Sequence, residues 1–104
     1  MNRPVMNSKV IEAWIDGGTA KNHKGTLTAL DTGELYSYNL KIGHRTKAGV
    51  CVLCEYNART GSFRSQTTST HVGLAKRLIT RSGGLVMHPR VWDTSPLREE
   101  VIPF

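Results

Sequence analysis

The 104-residue chain has no apolar run near the roughly 20 residues that a membrane-spanning helix requires. Its first residues, MNRPVMNSKV, lack the apolar centre of a secretory signal. A cytoplasmic protein with no membrane contact is therefore expected. There is no P-loop, no GxGxxG, no nucleophile elbow and no pair of carboxylates spaced for acid–base work. Those gaps leave the chain without a recognisable catalytic motif, and neither enzymatic activity nor a cofactor is expected. Internal repeats and low-complexity linkers are also missing, while 38% hydrophobic residues exclude compositional disorder. One modest domain fits this length.

Cysteine is scarce too. Cys51 and Cys54 are the only two, and no second CxxC or HxxxH supplies the remaining ligands of a zinc site. They lie in GVCVLCEY, which reads as a buried strand. Positions three apart on a strand point to opposite faces, so the thiols would not converge. Buried, reduced, metal-free cysteines follow from that geometry.

Acidic residues are nearly absent from one long region. Residues 1–40 balance Arg3, Lys9, Lys21 and Lys24 against Glu12, Asp16, Asp31 and Glu34. Residues 41–90 carry nine basic side chains and a single acid, Glu55, and residues 91–104 are slightly acidic. The net charge of +6 therefore sits in the middle of the chain. A field of one sign suits a polyanion or an acidic protein surface.

What is present reads as an α+β fold. Residues 1–7 look like a flexible tail, residues 8–90 form the domain, and residues 91–104 are a C-terminal tail packed through Trp92, with Ser95-Pro96 opening one helical turn. Ser8 caps a first helix, SKVIEAWIDGG, with Val10, Ala13 and Trp14 on one stripe and Gly17-Gly18 at its end. Strands are expected at 26–30, 35–42, 49–56 and 62–68, joined by short turns into a four-stranded antiparallel meander. In the second strand, alternation sets Tyr36, Tyr38, Leu40 and Ile42 on one face. GHRTKA, 43–48, is a basic loop. Ser69 or Thr70 caps a second helix, HVGLAKRLITR, whose stripe is His71, Leu74, Ala75 and Leu78, and Gly83-Gly84 ends it. Residues 85–87 read as a last short strand.

Three constellations bear on function. Two histidines, His44 in the basic loop and His71 at the helix start, with neighbouring cations, have the residue types of acid–base cleavage of RNA. Their plainer reading is a packed His71 within its leucine stripe and a solvated or phosphate-contacting His44. Tyr36 and Tyr38 suit base stacking if part of their face is left open, and core packing otherwise. The hydroxyl-dense stretch SFRSQTTSTH, leading into a helix N-terminus, suits an anion, or serves simply as strand surface and cap.

The segments LYSYNLKIGHR (35–45) and FRSQTTSTHVGLAK (63–76) resemble small uncharacterised proteins encoded by bacteriophages and other mobile elements. These share a "SYN" strand and a "TTSxH" strand-to-helix junction, and the resemblance spans about residues 10–80. It implies a phage-type origin, hence the host cytoplasm, and transfers no activity and no site residue. Small phage proteins often bind host machinery, so the resemblance also admits an anti-CRISPR-like inhibitor.

The preferred function is a non-catalytic binding protein whose partner is nucleic acid or an acidic nucleoprotein complex. Its contacts are drawn from Lys41, His44, Arg45, Lys47, Arg59, Arg64, Lys76 and Arg77. The alternative is an anti-defence inhibitor acting by protein contact with host machinery. A small nuclease is a third reading.

Overall fold

The computed structural model describes residues 4–56 and 65–89. In chain order these form α1 (Asn7–Asp16), β1 (Ala20–Lys21), β2 (Leu27–Ala29), β3 (Glu34–Ser37), β4 (Leu40–Arg45), β5 (Cys51–Cys54), α2 (Gln66–Arg81) and β6 (Leu85–Met87). The strands make one sheet in the order β1-β2-β3-β4-β5-β6. Neighbours from β1 to β5 are antiparallel, and β6 joins β5 in parallel. The fold is thus α+β with a mixed six-stranded sheet, of which the expected four-stranded meander is only a part.

β1 was not expected and β6 joins the sheet, and three corrections account for the rest of the difference. The run 35–42 is two strands, because the chain reverses at Tyr38, which takes a left-handed φ of 55°. Continuous alternation across 35–42 hid that turn. The expected strand 62–68 does not hold in its described part, since Ser65 is the N-cap of α2 and Gln66 to Thr68 form its first turn. The basic loop at 43–48 also fails for its first half, because Gly43, His44 and Arg45 continue β4.

Both helices cover one face of the sheet. Leu35 and Ser37 point to that face, where Leu35 is buried with Trp14 of α1 in the core and Ser37 meets His71 of α2. α1 buries Val10, Ile11 and Trp14. No side chain caps its N-terminus, so Ser8 is not the cap. Gly17, at φ 86°, closes its C-terminus, with the amides of Gly17 and Gly18 returning to the carbonyls of Trp14 and Ala13. Arg45 adds a side-chain cap, its Nη1 donating to the Trp14 carbonyl at 2.8 Å. α2 buries Thr68, His71, Val72, Ala75 and Ile79, a stripe rotated by about one position from the expected one, with Leu74 and Leu78 on its flank.

Among the described glycines, Gly43 has the least space. A Cβ there would lie 2.6 Å from Cζ2 of Trp14, so only glycine lets the indole lie on the strand. The indole Nε1 then donates to the Gly33 carbonyl at 2.7 Å. A bulge between Leu35 and Tyr36 gives β4 one extra residue, Ile42, which is also buried. β5 is buried on both faces, as its composition indicates. The start of the chain is less loose than expected: the Val5 amide donates to the Lys21 carbonyl and α1 begins at Asn7. Trp92 and the rest of 91–104 lie outside the described residues.

Candidate functional site

The two segments singled out in the sequence meet in space. Ser37, before the Tyr38 turn, places its Oγ 2.8 Å from Nδ1 of His71 and 2.9 Å from Oγ1 of Thr68. Ser65 extends the chain of contacts. Its Oγ accepts the Thr68 amide proton at 3.0 Å and donates to Thr68 Oγ1 at 3.1 Å. Each hydroxyl has one proton to give. Where Thr68 donates to Ser37 and Ser37 donates to Nδ1, the neutral imidazole carries its own proton on Nε2; the reverse order puts that proton on Nδ1. Burial holds the His71 pKa below its usual value, which favours that neutral form.

A serine this close to a histidine has the spacing of an activated nucleophile. Ser37, however, is 0% exposed, and its contacts are those of a buried polar network. The two histidines do not converge either. His44 stands opposite Glu34 and Val52, one residue past Gly43, and so lies on the face away from the helices. It is 1% exposed, which overturns the reading of a solvated, phosphate-contacting loop residue.

The other expected contacts are dispersed. Arg45 is committed to α1, its guanidinium also donating to the Asp31 carbonyl. Lys76 pairs with Glu55 at 2.6 Å. Lys47 is exposed in the β4–β5 turn and Arg77 is exposed on α2. Arg59 and Arg64 lie outside the described residues. Lys41 is the one described candidate among them that falls into a new alignment.

That alignment is a row across the face turned away from α1 and α2. Lys21 pairs with Thr28, Thr28 with Tyr36, and Tyr36 with Lys41. Directly paired residues share a face, so one half-buried aromatic ring and one threonine stand between two lysines on four successive strands. The row spans three strand gaps, about 14 Å. Tyr36 and Tyr38 do not share a face as expected. Tyr38 belongs to the turn and is 53% exposed. Lys21 was missed because β1 is two residues long and carries no strand signal of its own.

Both cysteines are buried. Burial raises the Cys51 pKa to about 11 against the pull of Arg45, so the thiol stays protonated and unreactive at neutral pH. Among the described residues no cluster of three metal-ligating side chains occurs, and no helix is long and apolar enough to cross a membrane. No family model, curated protein or solved structure matches the chain.

Proposed function

We propose that the chain is a non-catalytic binding protein of phage type that holds single-stranded nucleic acid against the face of its sheet turned away from α1 and α2. The observation that supports this most is the row Lys21–Thr28–Tyr36–Lys41. A tyrosine ring on a sheet offers a base a stacking surface, and cations to either side hold the backbone phosphates. The net charge of +6 favours the same partner.

Fluorescence anisotropy with a labelled single-stranded oligonucleotide tests the reading. Tyr36→Ala removes the stack and should weaken binding by about 1–3 kcal/mol for the base it holds. Lys21→Ala and Lys41→Ala should each reduce the magnitude of the log–log salt slope by about 0.7. Binding that none of the three variants changes refutes this face as the contact.

The second reading, an anti-defence inhibitor acting by protein contact, draws on β6. Among the described strands it ends the sheet, and Leu85 and Val86 are exposed on it. Exposed apolar side chains on a terminal strand suit pairing with a protein partner. Capture of a host protein by wild type that Leu85→Lys abolishes and Tyr36→Ala leaves intact would favour it over the first.

A further inference from the structure

A cleft of about 350 Å³ opens where the segment before α1, the β1–β2 turn and the start of α2 come together. Its polar lining is arranged by one side chain, Asn22. The Asn22 Oδ1 accepts the amides of Thr26 and Leu27, which closes the turn. Its Nδ2 donates to Oδ1 of Asn7 at 2.8 Å and to Oγ1 of Thr26 at 2.9 Å. Asn22 is thereby saturated, and the acceptor oxygens of its neighbours are occupied. What Asn7 and Thr26 retain for the cleft are donors: an amide NH₂ and a hydroxyl proton.

The opposite wall repeats this polarity. His71 lines the cleft and is 1% exposed. Ser37 holds its Nδ1, and among the described residues nothing bonds its Nε2. In the tautomer in which Ser37 donates to Nδ1, Nε2 carries the imidazole proton. Thr67, in the first turn of α2, lies on the same wall, where the helix presents unbonded amides and the positive end of its dipole. Lys24 and His23 stand at the rim, and no lining residue is acidic. In that tautomer the cleft is lined by an imidazole N–H, a side-chain amide, two hydroxyls and a lysine, with no acidic residue among them.

We propose that this cleft binds a phosphate group, with the His71 Nε2–H, the Asn7 amide, the Thr26 and Thr67 hydroxyls and Lys24 as its donors. The site is separate from the Lys21–Lys41 row, which lies on the other face of the sheet. It does not depend on the nucleic-acid reading.

The test is titration of full-length protein with inorganic phosphate and with adenosine 5′-monophosphate, adenosine being the control. The readouts are amide and imidazole NMR shifts at constant ionic strength. Saturable binding is expected, with shifts at Asn7, Lys24, Thr67 and the His71 ring. Tighter binding of the nucleotide assigns the site to an ester, and tighter binding of the inorganic ion assigns it to free phosphate. Lys24→Ala, at an exposed position, should weaken binding about tenfold or more. Asn7→Asp keeps the oxygen that Asn22 needs but sets a negative charge among the donors, and it should abolish binding in a folded protein. Tyr36→Ala should leave phosphate binding unchanged even where it abolishes oligonucleotide binding. Shifts that do not saturate, or affinity equal in wild type, Lys24→Ala and Asn7→Asp, would overturn the proposal.

Discussion

The two faces of the sheet use the same strands for opposite ends. On the helix-covered face, alternate residues are fixed by what they touch: Leu35 and Gly43 by Trp14, Ser37 by His71 and Thr68. On the other face, strand pairing aligns Lys21, Thr28, Tyr36 and Lys41. A two-residue period therefore lets neighbours such as Tyr36 and Ser37 answer to different demands. Substitutions on the covered face should act on stability, and those on the other face on binding.

The largest break in that contrast should come from Gly43→Ala. The added methyl overlaps the indole ring of Trp14 and meets Leu35 on its other side. A loss of about 3 kcal/mol is expected, since overpacking typically costs 1–3 kcal/mol and this overlap is severe. Denaturant unfolding measures it. An unchanged midpoint would show that the indole does not lie on β4.

Ser37→Ala comes next. It strips the partner from Nδ1 of His71 and from the Thr68 hydroxyl, both buried, and should cost about 1–3 kcal/mol. The expected loss carries no change in oligonucleotide affinity per folded molecule. A variant as stable as wild type would argue against a cohesive hydroxyl–imidazole network.

Two pH effects on the covered face are smaller and opposite in direction. His71 has a lowered pKa in the folded protein, so folding favours its neutral form. Its contribution is complete above the unfolded value of about 6.5 and declines as the pH falls from there toward the folded value. Cys51 has its pKa raised from 9.0 to about 11. Its contribution is complete below pH 9 and is lost as the pH climbs toward 11. Unfolding midpoints across the pH range, compared with Cys51→Ala, should show the alkaline decline in wild type and a shallower one in the variant. Parallel alkaline limbs would place the thiol in contact with water.

The smallest effect belongs to the other face. Thr28→Val keeps a β-branched residue in β2 and removes only a hydroxyl from the row. The midpoint should move by less than about 0.5 kcal/mol. A loss comparable to that of Ser37→Ala would show that this face, too, is packed.

Much of the fold was legible where a residue type has one physical use. Gly17 and Gly83 stop helices, Trp14 and Val10 mark a buried stripe, and CVLC reads as a strand buried on both sides. The His71 reading was legible as well, because a histidine in an apolar stripe must find a partner. The hairpin was not. Its turn holds Tyr38 and Asn39 with no glycine or proline, and the apolar spacing runs through it without interruption. The start of α2 was misplaced for a related reason. Gln66 to Thr70 is rich in β-branched residues suited to a strand, and only the Ser65 contact with the Thr68 amide turns them into a helix. Among the candidate contacts, charge identified cations but not their neighbours, so Arg45 read as a surface residue although it caps α1.

The parallel pairing of β6 with β5 sets an order of assembly. Strands β1 to β5 pair with sequence neighbours through short connections, and each can zip onto the last. Between Cys54 and Leu85 lie thirty residues, among them all of α2. Closing so long a loop costs entropy before any contact repays it. The last strand therefore waits for α2 to dock through Val72, Ala75 and Ile79, and it is the first to leave. Native-state hydrogen exchange should register this as a cooperative opening of the β6 pairing at lower free energy than that of β3 and β4.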